Sequence, residues 1–163
     1  MKLEICIIPE CNWGTSLAQI LPTEVWDKVR REVYSDANWI CQICYSTGVE
    51  LHCHEVWLLD KKTRIQKLVK LVCICGDCHH VVHWWGTVRA VHEGGLPGTT
   101  IERLTSHFLK VNKCTQEEFD KHKTNVLMES IVINKTKKWK IAWGPYDPGK
   151  VVQVYNKVRR KKG

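Results

Sequence analysis

At 163 residues the chain is sized for one domain, or a small module with wrapped arms, and no run approaches the roughly 18–20 apolar residues that cross a bilayer. A formal charge of +8 favours an acidic partner, nucleic acid being the commonest. Nine cysteines behind an opening Met1-Lys2-Leu3-Glu4-Ile5-Cys6, which has no apolar leader core, predict reduced thiols in a cytoplasmic protein and argue against a secreted disulfide framework or a membrane protein.

Residues 1–23 read as an extended arm in which Leu3, Ile5 and Ile7 alternate before Pro9. Asn12-Trp13-Gly14-Thr15 has turn chemistry, and Ser16 to Leu21 allows one helical turn stopped by Pro22. Thr23 is a candidate N-cap, and Trp26, Val29, Arg30 and Val33 follow at helical spacing, predicting a helix over 24–36. After a Cys41–Cys44 knuckle and a Ser46-Thr47-Gly48 turn, strands are expected over 50–58 and 65–73. The polar turn Asp60-Lys61-Lys62-Thr63 joins them as an antiparallel hairpin. A helix should start at Cys78, carry His79, Val82 and His83, and end before Gly86. Gly94-Gly95-Leu96-Pro97-Gly98 is a loop, 100–112 and 116–133 are helices, 139–143 a closing strand, and 151–163 a mobile basic tail. The class is α+β. The expected divisions are 1–38 (arm and helix), 39–92 (metal module of hairpin and helix), 93–150 (helical extension and strand) and 151–163 (tail).

Six of the nine cysteines and six of the eight histidines fall between positions 41 and 92, a density that points to metal. Zinc favours a tetrahedron of thiolates, and each C-x-x-C turn presents two sulfurs to one ion. Cys41, Cys44, Cys75 and Cys78 are therefore the expected ligands of a structural Zn2+, brought together by the hairpin. Cys73 is an alternative to Cys75, by a slip of two residues along the strand, and Cys6, Cys11, Cys53 and Cys114 read as core or surface thiols. His79 and His83, four apart, share a helix face. With His54 from the facing strand they make a three-ligand site whose open positions suit a hydrolytic metal, and Glu55 is the neighbouring candidate base.

The series Cys41-x-x-Cys44, Leu51-His52-Cys53-His54-Glu55-Val56-Trp57 and Leu71-x-x-x-Cys75-Gly76-Asp77-Cys78-His79-x-x-x-His83 resembles the HNH endonucleases. These are ββα-metal nucleases, and the likeness is nearest to small bacterial and phage proteins with a Cys-His-Glu-Val-Trp segment. Segments resembling Cys11-x-Trp13-Gly14 and His107 to Asn112 recur in that group. The resemblance implies hydrolysis of DNA phosphodiesters with one Mg2+, Mn2+ or similar ion on His54, His79 and His83. Glu55 stands where the family's water-activating histidine falls, and Lys70 where its asparagine falls. In a register one residue away, His54 is the base and Cys53 or Glu55 takes its metal position. His54, Glu55 and His79 are thus the expected catalytic residues.

The hairpin lysines and arginines (Lys61, Lys62, Arg64, Lys67, Lys70) and the terminal Arg159 and Arg160 are the candidate DNA contacts, and Lys135, Lys137, Lys138 and Lys140 form another basic run. Most of the eight tryptophans should fill the core, with one or two free to stack on bases. Two other readings follow from the same residues. One is an inactive zinc module that binds nucleic acid or a protein partner, as a phage-encoded regulator or inhibitor would. The other is a structural domain with two zincs. A monomer or a homodimer fits each.

Overall fold

Two runs rich in apolar residues, Leu51 to Leu59 and Ile65 to Cys75, separated by the polar Asp60–Thr63 turn, build the hairpin on which the rest of the chain is assembled. The structure is a computed structural model that describes residues 1–136 and 138–162, with side chains described as far as Lys157. Lys137 and the side chains of Arg159, Arg160, Lys161 and Lys162 thus lie outside the described residues.

Strands β1 (Leu51–Asp60) and β2 (Ile65–Cys75) pair antiparallel, each ending two residues beyond the expected 50–58 and 65–73. A short β3 (Lys140–Ala142) joins β2 in parallel along Ile65–Lys67, giving the order β1-β2-β3 and leaving β1 at an edge. The helices are α1 (Leu17–Ile20), α2 (Thr23–Asp36), α3 (Gly76–Val82), α4 (Trp84–His92), α5 (Thr100–Asn112), α6 (Gln116–Asn134) and α7 (Pro148–Lys162). The class is mixed α+β, as expected, and among the described residues no helix is long and apolar enough to cross a membrane.

The register holds one irregularity with consequences. Val56 faces Lys70 but Trp57 faces Leu68, so Val69 is an extra residue on β2. A bulge reverses the parity of the strand that carries it. Leu68 and Leu71, three apart, can therefore both enter the same cluster with Leu17, Leu21 and Val25. That cluster lies between the sheet and helices α1, α2 and α7. A larger core, containing Leu3, Ile74, Val81, Trp84, Leu104, Phe108 and Phe119, unites the N-terminal arm with β2 and helices α3 to α6. Phe119 is stacked on Phe108 at 4.0 Å and meets Trp84 edge-on at 5.0 Å.

The arm is extended as predicted but is not a strand. Its backbone groups are taken up by side chains: Asn112 Oδ1 accepts from the Lys2 and Leu3 amides, Asn112 Nδ2 donates to the Leu3 carbonyl, and His122 Nε2 accepts from the Ile5 amide. Helix α5 begins and ends where its periodicity predicts. Helix α6 is opened by a capping box in which Thr115 Oγ1 accepts from the Glu118 amide at 3.2 Å and Glu118 Oε2 accepts from the Thr115 amide at 2.8 Å.

Three expectations are corrected. Pro22, not Thr23, is the N-cap of α2, its fixed φ of −54° setting the entry to the helix. The helix after the second knuckle does not run on towards Gly86: it breaks at His83 (φ −100°, ψ 36°), and α4 starts afresh and passes through Gly86. The break turns Trp84 into the core against Phe119, which outweighs the roughly 1 kcal/mol cost of a helical glycine. Finally, the segment read as a mobile basic tail is α7, because Val151, Val152 and Tyr155 dock on the Leu68–Leu71 cluster.

Candidate metal centres

Cys41 and Cys44 sit on the loop after α2, while Cys75 ends β2 and caps α3, whose first turn holds Cys78. Gln42, between the first two cysteines, ties the loop to β2: its amide donates to the Cys73 carbonyl at 2.9 Å, and its Oε1 accepts from the Cys73 amide at 2.8 Å. The four sulfurs close into one cluster. Cys41 and Cys78 Sγ are 3.8 Å apart and Cys44 and Cys75 Sγ 3.5 Å apart. A tetrahedron of zinc–sulfur bonds of about 2.3 Å has edges of about 3.8 Å. Each knuckle also aims an amide at its first sulfur, Cys44 N to Cys41 Sγ and Cys78 N to Cys75 Sγ, both at 3.5 Å. The donor set, its spacing and these amides fit a structural zinc.

Without a cation the cluster shares its protons unequally. S–H groups of Cys75 and then Cys78 stabilise a Cys41 thiolate, lowering its pKa, while bonding to Cys41 and Cys75, with burial, keeps Cys78 protonated. A dication removes that conflict by accepting every sulfur as thiolate. Cys73 does not take part. It is buried against Tyr34 and Ala37, and Cys75 is the β2 cysteine that closes the cluster, so the two-residue slip is excluded.

On the opposite side of α3, His54, His79 and His83 bring one ring nitrogen each to within 4.8 Å of the others. The rings meet nearly at right angles: His54 and His83 centroids are 4.9 Å apart at 76°, and His79 and His83 4.7 Å apart at 75°. Three imidazoles turned about a common centre can hold one ion by small side-chain rotations. Period 2 puts His52 on the His54 face of β1, and it stacks flat on His79 at 4.5 Å and 2°. That i, i+2 spacing was a readable signal for a supporting residue, with Glu50 Oε1 3.7 Å beyond it. His107 was not readable: its Nε2 reaches Cys78 Sγ at 3.2 Å only because α5 packs on α3.

Burial holds the three rings neutral. Desolvation, then the neighbouring His83, pushes His54 down to about 3, and desolvation with the surrounding histidines does the same to His79. His83 is lowered by burial and then by His80 and His52. Protons compete with a metal only near and below the folded-state pKa. Three unperturbed histidines would begin to lose affinity as pH falls through about 6.5, but here competition is displaced to lower pH. Mn2+ binding, followed by electron paramagnetic resonance, should therefore change less than about threefold between pH 7.5 and 5.5. A tenfold or greater loss over that span would show the rings to be ordinary.

Glu55 leaves β1 on the face opposite His54, beside Cys53 and Trp57, and its Oε1 accepts from the Leu17 amide at 2.6 Å at the start of α1. Burial raises its pKa, with the Leu17 amide and the Trp57 side chain pulling the other way. Because β1 is an edge strand, Glu55 and the imidazoles nevertheless border one cleft of about 780 Å³. Cys53 is pushed up to about 12 by burial and the Glu55 charge, and it points away from the imidazole cluster into the Leu17 cluster. Lys61, Lys62, Arg64, Lys67 and Lys70 are exposed on the hairpin and do not line this cleft, and Lys61 is paired with Glu129 at 2.6 Å. Lys135, Lys138 and Lys140 are also exposed. No family model, curated protein or solved structure matches the chain.

Proposed function

We propose that the chain is a metal-dependent DNA endonuclease of the HNH type, hydrolysing phosphodiester bonds at the imidazole cluster while a zinc on Cys41, Cys44, Cys75 and Cys78 holds the scaffold. The observation that carries this reading is the position of the cluster: three neutral imidazoles, from a hairpin strand and the helix that follows it, at the wall of an open cleft. A structural site is normally closed by four protein ligands, whereas a site used for chemistry keeps room for substrate.

His54, His79 and His83 would hold Mn2+ or a similar transition ion, which three neutral nitrogens suit better than Mg2+, and when bound it would supply Lewis-acid activation of a phosphodiester oxygen. His52 backs His79 and fixes its ring plane. Glu55 is the candidate for taking a proton from water. Its raised pKa brings it nearer the working pH than an exposed glutamate, and the Leu17 amide holds the carboxylate at the edge of the cleft.

Supercoiled plasmid should be nicked in Mg2+ or Mn2+, with nicking stopped by EDTA and slowed by about 10²–10⁴-fold in Glu55→Gln. Plasmid and circular single-stranded DNA both bound but uncut with any divalent ion would overturn the reading. It would favour the second one, a zinc module that binds nucleic acid without cutting. The attachment of Glu55 to the Leu17 amide, on the far face of β1 from His54, is the observation on that side.

A further inference from the structure

Trp13, Trp39 and Trp85 face solvent, at 62, 55 and 41 % exposure. Two of them, Trp13 and Trp85, line the cleft that holds the imidazoles. Neither is exposed for want of a place to pack.

Trp13 stands at the corner of a type II turn. Its φ and ψ are −61° and 142°, Gly14 follows at φ +76°, and the Thr15 amide donates to the Asn12 carbonyl at 3.2 Å. The indole N–H donates to the Ile8 carbonyl at 3.1 Å, which fixes the ring. The turn itself is stapled to the fold twice. Buried Asn12 donates through Nδ2 to Gln66 Oε1 at 2.8 Å, and the Glu10 amide donates to Asn134 Oδ1 at 2.9 Å. Trp85 is set by its neighbour: with Trp84 locked edge-on against Phe119, the next residue on α4 is turned outward to the cleft. The outcome is two large aromatic faces, one of them rigidly mounted, beside a candidate hydrolytic centre.

The charge in the cleft is as telling as its aromatics. Arg89 is the single lysine or arginine among the described residues that line it. A duplex site draws its affinity from many cations laid along two phosphate backbones. A single strand offers one backbone to neutralise and gains further affinity from aromatic faces on which its unstacked bases lie, without regard to sequence. We infer that the cleft takes single-stranded DNA, its unpaired bases stacking on Trp13 and Trp85 and its phosphates meeting Arg89 and the imidazole site. The chain's formal charge of +8 supplies the long-range attraction. This rests on the hydrolytic reading for what happens to the strand, but strand binding can be measured without turnover.

A short oligothymidine and a blunt duplex of equal length are titrated against the full chain in Ca2+, following tryptophan fluorescence. The single strand should quench the fluorescence and bind at least about tenfold tighter than the duplex. Trp13→Ala and Trp85→Ala should each weaken it by about five- to a hundredfold, the measured range for one base–aromatic stack. Trp13→Phe, which keeps a π-face, should recover part of the loss, and Trp39→Ala, outside the cleft, should bind as wild type. Duplex bound as tightly as single strand, or both alanine variants binding as wild type, would overturn the inference. Hydrolysis of methyl p-nitrophenyl phosphate in Mn2+ separates the two claims. Its absence counts against the hydrolytic centre and leaves strand binding standing, whereas turnover without strand preference removes the single-strand inference alone.

Discussion

Cys78→Ser is expected to leave the chain unfolded at 25 °C and unable to retain zinc. The Cys78 sulfur is wholly buried, 3.8 Å from Cys41 Sγ and 3.2 Å from His107 Nε2, and its residue belongs to the main core with Ile74, Val81 and Leu104. Structural zinc contributes about 10–16 kcal/mol in small zinc modules, as much as or more than the 5–15 kcal/mol by which ordinary domains are stable. Losing one of four thiolates sacrifices much of that binding. It also leaves Cys41, Cys44 and Cys75 crowded together without the fourth ligand that closes the tetrahedron. The loss of far-ultraviolet circular dichroism and of bound zinc by elemental analysis would check this, and a strong chelator should drive wild type to the same spectrum. Cys11→Ser, at an exposed thiol, should change neither. A folded Cys78→Ser variant with an unchanged melting temperature would show that the cluster is not a structural zinc site.

His79→Ala should behave in the opposite way, folding normally while losing metal-supported cleavage. The ring is only partly buried, and α3 is held by Cys78, Val81 and Val82 on its other face, so the helix has what it needs without the imidazole. Yet His79 is the ring that touches His52, His54 and His83 at once. The Lewis-acid contribution of a bound ion is several kcal/mol, which corresponds to about a thousandfold in rate. Cleavage of DNA should therefore fall by at least about that factor, Mn2+ binding should become undetectable by electron paramagnetic resonance, and one zinc per chain should remain. His52→Ala, which removes only the supporting stack, should cost about ten- to a hundredfold. Mn2+ bound by His79→Ala as tightly as by wild type would exclude the imidazole cluster as its site.

Local signals carried much of this fold. The paired C-x-x-C turns, the hairpin and helix α5 follow from spacing and turn chemistry within a dozen residues, and the structure keeps them within two residues of the expected bounds. The features that escaped depend on partners far along the chain. Gly86 reads locally as a stop, but Trp84 has Phe119 to pack against, and the helix runs on. Arg159 to Lys162 reads as a solvated tail, but Val151, Val152 and Tyr155 just before it find the sheet. The bulge at Val69 leaves no strong mark in composition, and it decides that both Leu68 and Leu71 are core. At the site, the three imidazoles were legible because four-residue spacing and one facing strand bring them together. The face to which Glu55 turns was not, since its partner is the Leu17 amide, 38 positions away.

Cys78 and His79 are neighbours on a helix of seven residues, one aimed at the sulfur cluster and the other at the imidazoles. Strand β2 feeds Cys75 into the same helix, so the helix that carries His79 is one that the cysteines anchor. The two centres are therefore not separable parts that natural selection could tune or discard one at a time. Zinc starvation, or oxidation of any one of the four thiols, would reach the second centre through this helix before any of its own ligands had changed. Whatever disturbs the sulfur cluster would then disturb the imidazoles as well.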